Sequence, residues 1–136
     1  MKVIIRLQMY PDKPDGHFAS ACRTFELHAL PTVGMSVFFE ITSVEGEEWG
    51  GAPVGKVVDV DLWLNGYGEH LGPAYVVTVE DRDMKLDAED FIPSLADFKY
   101  SGWTFDSLHG VSESDVHANI AQRLSVMDEA RKKVVV

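Results

Sequence analysis

Polar and apolar residues alternate from the start of the chain. Val3, Ile5, Leu7 and Met9 fall on one face of a strand, with Ile4, Arg6, Gln8 and Tyr10 on the other. Pro11, Asp12, Lys13, Pro14, Asp15 and Gly16 then read as a turn, because the prolines fix φ and the glycine tolerates positive φ. A second run sets Ala19, Ala21, Phe25, Leu27 and Ala29 against Ser20, Thr24, Glu26 and His28. Arg23 interrupts its apolar face, which places part of that strand near a sheet edge. Residues 35–44 predict a third strand with Met35, Val37, Phe39 and Ile41 sharing a face. After a Gly- and Glu-rich loop over 45–53 comes the clearest strand, 54–64. Val54, Val58, Val60, Leu62 and Leu64 line one side of it, and Val57, Asp59, Asp61 and Trp63 the other. Residues 65–73 form a glycine-bearing hairpin loop, and 74–80 a fifth strand.

The second half of the chain changes period. Residues 81–109 predict short helical turns, one capped by Asp87 and one by Ser94, separated by Pro93. Their aromatics, Phe91, Phe98, Tyr100, Trp103 and Phe105, fold onto the sheet. A helix follows from about residue 112 to 133. Ser112 and Asp115 resemble a capping box, Arg131, Lys132 and Lys133 suit the C-terminal end of the dipole, and Val116, Ile120, Leu124, Met127 and Ala130 make one apolar stripe. The expected fold is therefore α+β: about five antiparallel strands forming a bent meander or small barrel, covered by a C-terminal α-helix laid across the open side of the sheet.

Composition bounds this picture without redirecting it. At 136 residues and 46% apolar content the chain has the size and character of one globular domain, 1–136, able to bury a core without disulfides or metal. The single cysteine, Cys22, favours a reducing compartment, and the N-terminal strand lacks the uninterrupted apolar core of a secretory signal. A cytoplasmic protein is the expectation.

Charge changes the picture more. The formal net charge is −10, which disfavours direct nucleic-acid binding and anionic membrane surfaces and suits a basic protein partner. Residues 45–97 hold thirteen acidic and three basic residues, a balance of −10, whereas the other 83 residues carry nine of each. Three groups stand out: Glu45, Glu47 and Glu48 beside Trp49; Asp59 and Asp61 with Trp63; and Glu80, Asp81 and Asp83 with the acids that follow. Pairing strands 54–64 and 74–80 as a hairpin brings the first and third groups toward the same strand end. These residues make a candidate partner-binding surface, anionic and edged by tryptophan. The alternative is a solvated acidic face that keeps the protein soluble.

Motifs for chemistry are weaker. Asp59-Val60-Asp61 has the form of a metal-holding Asp-x-Asp but lacks the nucleotide-binding α/β context. A calcium loop starting at Asp81 fails, with Lys85, Leu86 and Ile92 where an oxygen ligand, glycine and glutamate belong. The glycines at 66, 68 and 72 join two strands instead of opening a helix, so they do not form a phosphate loop. The five histidines show no zinc spacing, and Cys22 and His28 would lie about 20 Å apart along one strand. No catalytic residue, cofactor or metal is assigned.

The leading expectation is a non-catalytic protein that binds a basic surface, of inhibitor, immunity or nucleic-acid-mimic type. The alternatives are a small-ligand or enzymatic barrel with its pocket between sheet and helix, and a structural subunit that pairs with itself.

Overall fold

A computed structural model describes residues 1–10, 17–49, 54–80 and 88–134. In chain order the elements are β1 (Lys2–Met9), β2 (Phe18–Glu26), β3 (Ser36–Phe38), β4 (Val54–Trp63), β5 (Ala74–Glu80), α1 (Ala88–Tyr100), β6 (Thr104–His109) and α2 (Glu113–Val134). The turn expected at 11–16 and the cap expected at Asp87 lie outside the described residues.

The strands form one open sheet in the order β3-β4-β5-β1-β2-β6. This corrects both the meander and the barrel. β1 pairs with β2 antiparallel and with β5 parallel, at Ile5↔Val77 for example. The reason lies in β1 itself. Val3, Ile4 and Ile5 are all buried, as are Val76 and Val77 of β5, and a strand apolar on both faces belongs at the centre of a sheet with neighbours on each side. A meander would have left β1 at an edge.

One face of the sheet is covered. Val3, Ile5, Leu7 and Met9 of β1 meet Phe91, Leu95, Ala96 and Phe98 of α1, with Phe39, Ile41, Val44 and Trp103 filling the flanks. Trp103 stands edge-on to Phe98 and Phe39, with centroids 5.5 and 5.4 Å away. The space between sheet and helix, where a pocket was an option, is occupied by these side chains.

α1 is continuous through Pro93, where two separate turns were expected. Pro93, the sixth residue of the helix, removes one ladder bond and crowds the carbonyl of Glu89, and the buried face formed by Phe91, Leu95 and Phe98 outweighs that cost. The helix closes at Gly102, whose φ is +99°. Trp103 N donates to Phe98 O and Gly102 N to Lys99 O, which is a Schellman motif.

α2 begins as the capping box predicts: Asp115 N donates to Ser112 Oγ at 3.2 Å, and Ser112 N to Asp115 Oδ2 at 3.0 Å. Its position is different from the expected one. α2 rests on α1, through Val116, Ile120 and Leu124, and does not cross the open side of the sheet. That side carries charged and amide groups which an apolar stripe could not cover without burying them unpaired. Among the described residues, no helix is long and apolar enough to cross a membrane.

Gly55 illustrates how tightly the covered face is filled. A Cβ built there would lie 2.1 Å from Val79 Cγ1. Gly55→Ala should therefore destabilise the fold by roughly 1–3 kcal/mol through overpacking. Urea unfolding should show a lower midpoint at unchanged m, and a parental midpoint would contradict this packing.

Candidate functional site

The uncovered face of the sheet is where polar side chains converge. Two bulges shape it. In β6, Ser107 pairs with Ser20 and Phe105 with Ala21, so Asp106 is the extra residue. In β4, Val57 pairs with Val79 and Asp59 with Thr78, so Val58 is extra. A bulge breaks strict alternation and re-aims a side chain. Here the first bulge presents Asp106 to the open face, and the second puts Asp59, Asp61 and Trp63 on that face while Val57 stays in the core.

Asp106 is the hub. Its carboxylate accepts from Arg6 Nε at 2.7 Å, from Ser20 Oγ and from Tyr67 OH. Gln8 lengthens the chain of contacts: its amide nitrogen donates to Glu80 Oε1 at 2.9 Å, and its oxygen accepts from Arg6 Nη1 at 2.9 Å. A polar line thus runs from β5 across β1 to β6 and the loop after β4. Below it lies a small apolar cluster of Ile4, Cys22, Ala74 and Val76, against which Tyr67 packs. Trp63 stands edge-on to Tyr67, with centroids 5.0 Å apart. The loop following β4 is therefore folded back over the sheet by one phenol and one aromatic pair. Gly66, at φ +104°, makes that reversal; a Cβ there would strike His70 O at 2.4 Å.

Electrostatics follow from this geometry. Burial opposes ionisation of Asp106, whose side chain is 19% exposed, yet the hydrogen bonds from Ser20, Tyr67 and Arg6 together hold it below the usual carboxylate range. Burial would lower Arg6, but its bond to Asp106 and the facing charge raise it. Burial raises the Tyr67 phenol, and donation to Asp106 adds to that. The Cys22 thiol is pushed up to about 12, first by burial and then by the Asp106 charge. A carboxylate saturated by three donors has little call for a proton, and a thiol near 12 is not a nucleophile at neutral pH. This hub fixes geometry.

A cleft of about 460 Å³ opens beside the hub. Ile4, Cys22 and Thr24 form its floor, and Tyr67 and Glu69 stand on one side. It passes over the start of β6 toward Lys99 and Glu113.

The candidate partner-binding residues divide between the two sides of the molecule. Asp59, Asp61 and Trp63 share the open face, and Glu80 sits at its end beside Gln8. Glu47 and Glu48 are exposed on the loop after β3, which packs on the helix side through Val44 and Trp49. The two groups are separated by the sheet and do not meet. Glu45 and Trp49 have internal partners. Arg123 Nε donates to Glu45 Oε1 at 2.7 Å and Arg123 Nη2 to Asp97 Oδ1 at 2.7 Å, while Trp49 Nε1 donates to Asp97 Oδ2 at 2.8 Å. Hydrogen bonding from Arg123, against a smaller opposing effect of burial, lowers the Glu45 carboxyl to about 2. Asp81 and Asp83 lie outside the described residues. Arg6, Tyr67 and Asp106 are absent from the sequence-derived set: the bulge at Asp106 disrupts the alternation that would mark β6 as a strand, and without it nothing in the sequence links Arg6 on β1 to Tyr67 on the loop after β4.

Asp106 and Glu45 both ionise more readily folded than unfolded, so their stabilisation is complete above about pH 5 and is lost as pH falls toward and through the folded values. Asp106→Asn should cost roughly 1–3 kcal/mol at pH 7 by weakening the Arg6 and Tyr67 contacts, and it should flatten the acid limb of a stability–pH curve. Glu45→Gln should flatten the same limb by less, its carboxylate being 39% exposed and screened by solvent. Parallel acid limbs in all three proteins would refute the assignment.

Comparison with protein-family models, with curated proteins and with solved structures finds no match to this chain.

Proposed function

We propose that this protein is a non-catalytic binder of a basic protein, and that it engages its partner through the open face of β4 and the loop that follows. The observation that carries this reading is a juxtaposition on one surface. Asp59 and Asp61 point outward beside Trp63, which is 47% exposed, and the loop that follows carries the exposed Leu64 and Leu71, the latter 89% exposed. Cross-strand from the two aspartates are Thr78 and Val76, so no cation on β5 neutralises them.

Exposed tryptophan and leucine ringed by one sign of charge match the anatomy of an interface: an apolar anchor gives affinity and the surrounding field gives steering and register. A surface selected only for solubility has no use for the apolar members. The molecular field supports a basic partner, since the net charge is −10. An inhibitor, an immunity-type protein and a nucleic-acid mimic all fit this description.

Two double reversals of equal charge separate the face from the net charge. Asp59→Lys with Asp61→Lys should weaken salt-sensitive capture of basic proteins about tenfold or more, on the order of 1.4 kcal/mol. Glu47→Lys with Glu48→Lys, on the other side of the sheet, should leave it near parental. Both should melt within a few degrees of the parent, as surface substitutions do. Equal losses in the two variants would mean that only net charge matters, and would remove the reading.

A further inference from the structure

We propose that an extended, basic segment of the partner adds to the sheet as a further strand, pairing antiparallel with Arg23, Thr24, Phe25 and Glu26 of β2 in the lane that β6 leaves empty. This rests on the reading above for the partner's charge and adds how the partner's backbone is held.

In an antiparallel pair, both backbone groups of a residue point to the same neighbour, and successive residues alternate sides. Leu27 N donates to Met1 O at 2.9 Å and the Met1 amine to Leu27 O at 2.8 Å. Counting back in twos, Phe25 and Arg23 also face β1. Thr24 and Glu26 therefore turn N–H and C=O the other way, toward the lane of β6. Cys22 does the same, and its carbonyl accepts from Thr104 Oγ1 at 3.3 Å.

The ladder to β6 ends at Cys22↔Thr104. Upstream of Thr104 the chain leaves the sheet: Trp103 turns into the core against Phe98, and Gly102 closes α1. Thr24 and Glu26 thus present two donors and two acceptors with no strand opposite among the described residues, over roughly 13 Å of edge at ordinary strand rise. An edge of this kind is a template for strand addition. The cleft reaches the start of it: Arg23, Thr24, Gly102 and Thr104 line the cleft together with Glu69 and Glu113.

Charge selects the occupant. Arg23 is already engaged, donating to Ser101 O at 3.0 Å and lying over the Phe25 ring, and Lys99 lies 3.8 Å from Glu113. The field of a chain with net charge −10 then favours lysine or arginine on the incoming strand. A second copy is disfavoured by the same field. The symmetric register, Thr24 opposite Glu26, would also bring both copies' Glu26 residues together diagonally across the pair.

The test uses the full chain and three blocked peptides as probes: Lys-Val-Lys-Val-Lys-Val, its Glu-Val counterpart, and the lysine peptide N-methylated at the residues whose N–H would face β2. Fluorescence anisotropy reads affinity, and amide hydrogen exchange reads the edge. The lysine peptide should protect the Thr24 and Glu26 amides and bind at least tenfold tighter than either other probe. Protection should persist in the Asp59→Lys, Asp61→Lys variant, whose changes lie on β4. Unprotected Thr24 and Glu26 amides, or a methylated probe binding as tightly as its parent, would overturn strand addition while leaving the acidic-face reading standing. Equal protection by the glutamate peptide would overturn the basic occupant. Protection that rises with protein concentration in the absence of peptide would assign the edge to a second copy and also overturn the proposal.

Discussion

The burial of β1 on both of its faces is the constraint from which the architecture follows. Three consecutive β-branched apolar residues, Val3, Ile4 and Ile5, cannot alternate between core and solvent. β1 must have a strand on each side and something above and below. β2 supplies one neighbour through a hairpin. The other is β5, a strand almost as apolar, reached only after the chain has passed to the far edge and returned. Parallel pairing is the consequence, since β5 comes in from β4 running in the same direction as β1. The two ends of the order, β3 and β6, are then short, which limits the exposed edge.

Covering the two sides of β1 required different means. On one side α1 and the segment from Phe39 to Trp49 form an apolar layer. A single buried node ties that layer together, where Asp97 accepts from Val44 N, Trp49 Nε1 and Arg123. Arg123 also donates to Pro93 O, so α2 holds the loop and α1 through one guanidinium. On the other side the buried apolar cluster among the described residues is Ile4, Cys22, Ala74 and Val76, and the cover is a hairpin loop held by Tyr67. The first layer is a core in the ordinary sense. The second is a thin cap, secured by one phenol, one carboxylate and an aromatic pair, and so the face beneath it stays available to solvent and ligands.

The sequence made the local elements legible wherever period and local signals agreed. The fifth strand and the capped start of α2 lie where alternation and Ser112–Asp115 place them, and Arg23, read as an edge signal, sits where β2 loses its neighbour. What alternation could not give was pairing. The continuous apolar triplet in β1 was a cue to a central strand, but it also fits a half-buried one. Bulges hid more. Asp106 shifts the phase of β6, so Phe105 and Leu108 share the core face at a spacing of three, which suits a helix and not a regular strand. Val58 does the same in β4, where Val57 and Asp59 lie on opposite faces and not on one. Pro93 signals a break on propensity alone, and the burial of Phe91, Leu95 and Phe98 overrides it. Half of the candidate surface was affected for a similar reason: a cluster of like charge says nothing about which members an arginine distant in sequence will claim.

That last point separates two kinds of acidity in this chain. Glu45, Asp97 and Asp106 are each met by arginine or by several donors, and their charge serves the fold. Asp59 and Asp61 are not. They lie two residues apart on one strand face, about 7 Å at strand rise, opposite a threonine and a valine. Two unneutralised carboxylates so placed repel one another and contribute nothing to packing, while Trp63 beside them leaves half of a costly aromatic surface in water. Each feature is mildly unfavourable to the isolated protein, and each becomes favourable when a cation and an apolar surface approach together. The fold meets Glu45, Asp97 and Asp106 with arginine and other donors, yet leaves these two carboxylates beside an exposed indole. The other unmet groups among the described residues, the outward N–H and C=O of Thr24 and Glu26, lie in the lane of β6, with β5 and β1 between them and β4.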